Sequence, residues 1–144
     1  MTRKRHTGIS AQWKAGMHRW EDAEALFRAQ RWRGAMYMAG YAVECRLKVK
    51  LMQQWQCRHL SDLEDKLLAR GIKESPFSHN LALMLKLAGG WDRLRQNQPM
   101  WAHFIDVNRW APAWRYDPDL SSAKEAEEFL SAIKDVAGWI DNNL

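Results

Sequence analysis

The segment from residue 33 to residue 55 constrains the fold of this chain most, because it has no proline and, after its first turn, a single glycine, Gly40. As one α-helix it would be about 35 Å long, the span of a small domain. Its apolar positions recur in steps of three and four on two sides. The first stripe is Ala35, Met38, Ala42, Cys45, Val49 and Met52; the second stripe is Tyr37, Tyr41, Glu44, Lys48, Leu51 and Trp55. A helix that is apolar on two sides is expected to be central, packed by neighbours on both.

Two charged residues, Glu44 and Lys48, stand within the second stripe at i,i+4 spacing with the acid first, the favourable order on a helix. We expect them to form a semi-buried ion pair that fixes the packing. The alternative is that they form a polar element of a binding site or of a dimer seam.

The rest of the chain also shows helical spacing, and no segment alternates with a period of two residues over a useful length. Besides the central helix, a first helix is predicted to start near Ser10, and further helices are predicted at about 62–69, 81–88, 97–110 and 123–144, with a short helical piece at 91–95. Their predicted N-terminal signals are Ser61 with Glu64, Ser78 or Asn80, Asn97 with Pro99, and Ser122 with Glu125. Pro112 and Pro118 bracket an irregular segment. The sequence therefore predicts an all-α fold, an antiparallel bundle of five to six helices.

The length of 144 residues is that of one domain, and the composition, 47% hydrophobic and 27% charged, is that of an ordinary globular protein. We expect a flexible basic tail over residues 1–9 and one helical domain over residues 10–144. No apolar run approaches the roughly 20 residues of a membrane span, and no apolar stretch of a secretory signal follows the basic start. The two cysteines, Cys45 and Cys57, fit a reducing compartment, so a cytoplasmic location is expected.

The net charge of +5 is unevenly distributed. Residues 1–50 contain eleven Lys and Arg against four acids, whereas residues 101–144 contain four against eight. This asymmetry indicates either internal pairing or a dimer with head-to-tail complementarity. It also leaves basic side chains in the first third for phosphate groups, which is a weak signal for nucleic acid.

Metal and nucleophile chemistry have little support. Cys57 and His59 are the only close pair of soft ligands, and a zinc site needs at least three protein ligands. There is no Gly-x-Ser-x-Gly motif and no phosphate-binding glycine loop. We therefore expect no metal and no cofactor.

The densest polar segment is 108–117, which contains Arg109, Trp110, Trp114, Arg115 and Tyr116. Arginine can bind a phosphate through two parallel hydrogen bonds, and aromatic rings can stack on bases. These five residues are the predicted ligand-binding or RNA-binding residues. The alternative is that Arg115 pairs with Asp117 or Asp119 and that the tryptophans close the end of the bundle.

The order of these features resembles the HEPN superfamily, small helical domains of bacterial and archaeal defence and toxin–antitoxin systems. The resemblance covers nearly the whole chain. It is carried by Asp-Ala-Glu-Ala-Leu-Phe at 22–27, by Ala-Gly-Tyr-Ala-Val-Glu-Cys-Arg-Leu-Lys at 39–48, by His-Asn-Leu at 79–81 with Leu-Ala-Gly at 87–89, and by Arg-Tyr at 115–116. Residues 42–48 are similar to the Ala-x-Glu-x-x-Leu-Lys core of the family and are the most specific part.

The resemblance implies a homodimer with a composite cleft between protomers. In catalytic members the cleft holds an Arg followed after four to six residues by a His, and the pair cleaves RNA without metal. Some toxins carry Arg-x4-His-x-Tyr, whose Tyr is modified by a nucleotidyltransferase antitoxin. This chain reads Arg109-x4-Trp114-x-Tyr116, and an indole cannot transfer a proton.

Three hypotheses follow. In the first, a HEPN-like dimer without the usual ribonuclease activity binds nucleic acid, a nucleotide or a protein in a defence or toxin–antitoxin system, with Arg109, Arg115 and Tyr116 in the cleft. In the second, a divergent ribonuclease takes its acid or base from His103, from His79 or from Tyr116. In the third, the chain is a scaffold or antitoxin-like partner that recognises another protein, such as one encoded in the same operon, through exposed tryptophans.

Overall fold

The computed structural model describes residues 8–144, and in this range the chain is helical without a β-strand. The elements are α1 (Ile9–Arg28), α2 (Trp32–Gln54), α3 (Leu60–Ala69), α4 (Leu81–Leu87), α5 (Trp91–Gln96), α6 (Gln98–Val107), a 3₁₀ helix (Pro112–Tyr116) and α7 (Ala123–Asn143). The all-α prediction is confirmed. The predicted count of five to six helices is wrong, since the described residues form seven α-helices. The extended backbone of Asn97 separates α5 from α6.

Helix α2 is the central element, because α1, α3, α4, α7 and the 3₁₀ helix all pack against it. It begins and ends one residue before the predicted positions. Both of its stripes supply core residues, among them Ala35 and Val49 from the first stripe and Leu51 from the second. Neither α2 nor any other described helix is long and apolar enough to cross a membrane.

Helix α1 approaches α2 closely because the contact is made by small residues. Gly16 and Ala23 are the buried residues of α1. A Cβ added at Gly16 would lie 2.9 Å from the Cβ of Cys45. The large apolar side chains of α1 therefore lie on its flanks, where most are partly buried and Trp13 and Met17 are exposed.

Three of the predicted N-terminal caps are present. The side chains of Asn80, Asn97 and Ser122 accept hydrogen bonds from backbone N–H groups three residues later, at 3.0, 3.3 and 3.1 Å. Each cap satisfies a backbone donor that the first helical turn leaves without a partner. Asn80, and not Ser78, caps α4.

The predicted capping box of Ser61 and Glu64 is wrong. Helix α3 begins at Leu60 after His59, whose backbone is extended. An isolated β-bridge between Gly8 and His59 holds the His59 backbone extended. An N-cap residue requires this extended backbone, so α3 starts after His59 and not after Ser61. The bridge also involves the end of the predicted basic tail, whose last residue, Ile9, begins α1; residues 1–7 of the tail lie outside the described residues.

Helix α6 ends at Val107 and not at about Trp110, and the segment predicted to be irregular contains the 3₁₀ helix. The chain turns after α6 so that the indole of Trp110 lies on α2 at Gly40. A Cβ at Gly40 would be 2.2 Å from Cδ1 and Nε1 of Trp110. Trp110 is buried, and its Nε1 donates a hydrogen bond of 2.8 Å to the backbone oxygen of Tyr37. Gly40 is thus the position that permits this contact.

We predict that Gly40→Ala lowers the free energy of unfolding by about 1–3 kcal/mol, because the new methyl group overlaps the Trp110 indole. The matched control is Gly138→Ala in α7, where an added Cβ meets nothing within 4 Å. That change should raise stability by up to ~1 kcal/mol through helix propensity. Urea unfolding of both variants measures the difference, and a gain in stability from Gly40→Ala would contradict the packing described for Trp110.

Candidate functional site

The second stripe of α2 carries two charged residues into the interior. Glu44 is 4% exposed and Lys48 is 6% exposed. Lys48 Nζ lies 3.5 Å from Glu44 Oε2, so the ion pair predicted from the i,i+4 spacing is present. A buried carboxylate is stable only when it is paired and also receives hydrogen bonds, and one lysine at this distance leaves its other oxygen unsatisfied.

His79 supplies the second partner of this carboxylate. Its Nδ1 lies 2.5 Å from Glu44 Oε1. His79 immediately precedes the N-cap of α4, and the packing of α4 against α2 brings the imidazole to Glu44. The side chain of His79 is 49% exposed, whereas that of Glu44 is 5% exposed. With Nδ1 directed at the carboxylate, Nε2 is the ring nitrogen that remains for a ligand or a proton.

Tyrosine side chains extend this arrangement along α2. The hydroxyl groups of Tyr37 and Tyr41 are 2.7 Å apart. The ring of Tyr41 makes edge contacts with the rings of His79 and Trp110, at centroid distances of 6.3 and 4.9 Å. We call Tyr37, Tyr41, Glu44, Lys48 and His79 the polar cluster.

The ionisation of Tyr41 reflects this environment. Burial raises the pKa of Tyr41 above its ordinary value, the hydrogen bond with Tyr37 and the negative charge of Glu44 raise it further, and the positive charge of Arg115 lowers it. Tyr41 is therefore a neutral phenol at physiological pH and a hydrogen-bonding group, not a base.

Arg109 and Trp110, two of the predicted ligand-binding residues, are engaged within the protein. Arg109 Nη2 lies 2.7 Å from Asp106 Oδ1, and Arg109 Nη1 lies 3.8 Å from Glu125 Oε1. The buried indole of Trp110 packs against Gly40 and Tyr41. Within the described chain, Arg109 is neutralised by carboxylates, and Trp110 is a packing residue rather than the wall of an open cleft.

Trp114, Arg115 and Tyr116 lie on the 3₁₀ helix, and their surroundings differ. The ring of Trp114 contacts Phe129 at a centroid distance of 5.3 Å, and the Arg33 guanidinium covers it at 4.8 Å. Arg115 and Tyr116 are exposed, Tyr116 to 75%, and the Arg115 guanidinium lies 4.7 Å from the Tyr116 ring centre.

The acids that follow the 3₁₀ helix are contacted by Arg33. Arg33 Nη2 lies 3.7 Å from a carboxylate oxygen of Asp117, and Arg33 Nε donates to the backbone oxygen of Asp119 at 3.4 Å. Within the described residues Arg33, and not Arg115, contacts these two acids, so the alternative in which Arg115 pairs with Asp117 or Asp119 is wrong.

His103 and His79, the two histidines considered as an acid or base, lie in different places. His103 is on α6, and its Nε2 lies 3.6 Å from Asp135 Oδ2 on α7. Both side chains of that pair are nearly half exposed, so the contact adds little stability. His79, and not His103, contacts the buried carboxylate. His103 lines a separate cavity together with Asp106, Lys124, Glu127 and Glu128.

The thiols and the possible metal ligands offer no further chemistry within residues 8–144. Burial raises the pKa of Cys45 to about 11, and burial also raises the pKa of Cys57. Both thiols are protonated at neutral pH, a state of low nucleophilicity. No group of three or more His, Cys, Asp or Glu side chains in the described residues is arranged to hold a metal ion.

The arrangement as a whole is an imidazole held by a buried carboxylate of α2, while an exposed arginine and an exposed tyrosine lie on the 3₁₀ helix that packs against α2. The sequence suggested Glu44 as a site element and His79 as an acid or base, but not their contact. It also did not identify Tyr37 and Tyr41 as site residues, although their place in the second stripe beside Glu44 was a usable signal.

Comparison of the chain with protein-family models, with curated proteins and with solved structures gives no match. The chemistry of the candidate site therefore has to be derived from its own residues.

We predict an asymmetric double-mutant cycle for the buried ion pair. Glu44→Met should cost about 3–5 kcal/mol of folding free energy, because it leaves the Lys48 ammonium buried without a counter-charge. Lys48→Met should cost less, because His79 still contacts the Glu44 carboxylate. The double variant should be more stable than the sum of the single effects predicts. Guanidinium unfolding measures all four proteins, and strict additivity would contradict coupling between the two charges.

Proposed function

We propose that this protein is a HEPN-like RNA-binding protein that binds the phosphate backbone and an unstacked base beside the polar cluster. The observation that carries the proposal is the exposure of Arg115 and Tyr116 on the 3₁₀ helix, which packs against α2, the helix whose buried Glu44 holds His79. Among the described residues no carboxylate lies within ion-pair distance of Arg115, so its guanidinium remains for an anion. Two parallel donors of arginine match a phosphate, and an exposed tyrosine ring offers a stacking surface.

The resemblance to the HEPN superfamily supports RNA as the ligand and a prokaryotic defence or toxin–antitoxin system as the setting. The helices also support the expected antiparallel arrangement at one point, since Gly16 contacts Cys45 while Gly34 contacts Leu26. The exposed hydroxyl-bearing side chain of Tyr116 is accessible to a modifying enzyme, such as a nucleotidyltransferase. Arg115, Tyr116 and His79 belong to one chain, so this binding surface does not require residues from a second protomer.

A single arginine exchange tests the binding surface. Arg115→Ala should weaken binding of a mixed-sequence single-stranded RNA by about tenfold, or ~1.4 kcal/mol, because a charge-assisted contact to phosphate is lost. Arg109→Ala is the matched control, since Arg109 is already bound by Asp106 and Glu125. Its affinity should stay within about twofold of wild type.

Fluorescence anisotropy at low and moderate salt, in the presence of a chelator, is the measurement. Arg115→Ala should also reduce the slope of log affinity against log salt concentration by about one, since one phosphate contact is lost. Equal losses from the two variants would contradict the surface proposed here, and an absence of RNA binding by the wild type would contradict the function.

A second candidate function, RNA cleavage without metal, is favoured by one specific observation, the contact of His79 Nδ1 with buried Glu44. A carboxylate that holds the proton on Nδ1 keeps the Nε2 lone pair available, the arrangement of a general base. His79 would take the proton of a ribose 2′-hydroxyl as its oxygen attacks the adjacent phosphorus. The 5′-oxygen would leave with a proton from solvent, giving a 2′,3′-cyclic phosphate and a 5′-hydroxyl. Arg115 would stabilise the charge developing on the phosphate oxygens.

We predict for this candidate that His79→Ala abolishes cleavage, whereas His103→Ala, the matched control on α6, retains it. Loss of a positioned base lowers a rate by about 10²–10⁴-fold. The assay is electrophoresis of end-labelled RNA incubated with the purified protein and a chelator. Unchanged cleavage by His79→Ala would exclude this residue as the base. RNA that binds to the wild type but is never cut would leave binding as the function.

A further inference from the structure

An open cavity of about 590 Å³ lies where α2 and α3 end, outside the polar cluster. Trp55 is the C-cap residue of α2 and Arg70 is that of α3, and the packing of α3 against α2 brings these two ends together. The charged residues in the lining are two cations, Lys66 and Arg70. The full lining is Gln54, Trp55, Gln56, Lys66, Ala69 and Arg70.

Arg70 and Trp55 form a stacked pair at this cavity. The Arg70 side chain is exposed, and its guanidinium carbon lies 5.1 Å from the centre of the Trp55 ring. Within residues 8–144 no carboxylate forms an ion pair with Arg70. A guanidinium that stacks on an aromatic ring is planar and keeps the N–H donors at its edge available. The pair therefore offers a flat cationic surface on which another planar group can stack.

The second cation, Lys66, is engaged by the end of α2. Its Nζ donates hydrogen bonds to the backbone oxygens of Trp55 and Gln56, at 2.9 and 3.5 Å. The carbonyl ends of α2 and α3 place partial negative charge beside the cavity. This charge opposes a multiply charged anion inside the cavity, but it does not oppose a neutral planar group that stacks on Arg70.

Two glutamine side chains add hydrogen-bonding capacity to the lining. Gln54 Nε2 donates to the backbone oxygen of Ala88 at 3.0 Å, which directs the amide and leaves Oε1 as an acceptor. Gln56 is exposed, and in the part of the chain that the structure describes its side chain makes no hydrogen bond. A side-chain amide places a donor beside an acceptor, the pattern that the edge of a nucleobase can pair with. Ala69 is the one aliphatic lining residue, so the cavity has little to hold an apolar peptide side chain.

We infer that this cavity binds one nucleotide through its base, which stacks on the Arg70 guanidinium that Trp55 supports, while the phosphate stays outside at the guanidinium edge. The inference rests on the proposed function, because that function makes RNA the source of the nucleotide. A nucleobase is neutral and planar and has donors and acceptors at its edge. Stacking of bases on aromatic rings and on arginine planes is a common way to hold single-stranded RNA. An acidic peptide fits less well, because its carboxylates would meet the carbonyl ends of two helices.

The cavity and the 3₁₀ helix lie at opposite ends of α2. Trp114 of the 3₁₀ helix contacts Arg33 in the first turn of α2, whereas Trp55 caps the last turn. From residue 33 to residue 55 the distance along the helix is about 33 Å. An exchange in the cavity should therefore leave Arg115 and Tyr116 undisturbed, so that failure of one contact can be distinguished from failure of the other.

Arg70→Lys tests stacking apart from charge, because lysine keeps the positive charge but has no planar group. It should weaken binding of a mixed-sequence single-stranded RNA of about 20 nucleotides by about fivefold, with the slope of log affinity against log salt concentration unchanged. Arg95→Lys is the matched control, since Arg95 is an exposed arginine of α5 that lines a different cavity with Asp92 and Gln96. Its affinity should stay within about twofold of wild type. Fluorescence anisotropy of labelled RNA with a chelator present is the measurement.

Trp55→Leu removes the indole and keeps an apolar side chain for packing. It should weaken binding of the same RNA by at least about fivefold. Trp91→Leu is its control, because Trp91 belongs to another cation–π pair, with Lys86 Nζ at 4.3 Å from the ring centre, outside this cavity. Thermal unfolding shows whether each tryptophan variant is folded, and Arg70→Lys, an exchange at an exposed position, decides the inference if Trp55→Leu is not.

Unchanged RNA affinity in Arg70→Lys, beside a loss in Arg115→Ala, would overturn the inference and leave the proposed function in place. A wild type that binds no RNA would contradict the proposed function, and the cavity is then tested with adenosine monophosphate at up to about 10 mM. The signal is the Trp55 indole N–H in nitrogen-15 NMR, assigned by its absence from Trp55→Leu. A shift that Arg70→Lys reduces would support a site for a free nucleotide. No shift, or a shift caused by a polyglutamate peptide alone, would overturn the inference.

Discussion

The buried carboxylate of Glu44 is the constraint on which the polar half of this structure depends. A carboxylate 4% exposed in the middle of the central helix is tolerated only if cations or donors reach it. Lys48 comes from the same helix and is placed by spacing alone, but His79 comes from a loop 35 residues further along the chain. Glu44 Oε1 needs a hydrogen-bond partner, and this need constrains the position of the segment before α4, which supplies His79. It also determines which histidine is held rigidly while its ring remains half exposed.

The contact of Trp110 with Gly40 likewise constrains the course of the chain, here after α6. Without a side chain at Gly40, the indole lies directly on α2 and donates to the Tyr37 carbonyl. This contact ends α6 early and sets the start of the 3₁₀ helix, so that Arg115 and Tyr116 come out at the surface. The dense segment 108–117 is therefore divided by packing into an internal part and an external part, and only the external part can meet a ligand.

What could be predicted from the sequence was local. The bounds of α2 and the Asn80 and Ser122 caps depend on residues within one turn of each other, and these predictions are confirmed. The start of α3 depends on a bridge to Gly8, about fifty residues away, and was predicted wrongly. The contact of His79 with Glu44 is also long-range, and periodicity carries no information about it. The engagement of Arg109 by Asp106 at i,i+3 was, by contrast, readable from spacing.

The two faces of α2 differ in what they pack against. Its first stripe is built from small residues such as Ala42 and Cys45, which let α1 approach through Gly16. The large residues of α1 lie beside this contact, where Trp20 and Phe27 are partly buried and Trp13 and Met17 are exposed. The second stripe contains the buried charges of Glu44 and Lys48, and Glu44 takes a partner, His79, from the loop before α4. Small residues on one side and a buried carboxylate on the other therefore give the helix a closely packed face towards α1 and a polar face towards the segment before α4.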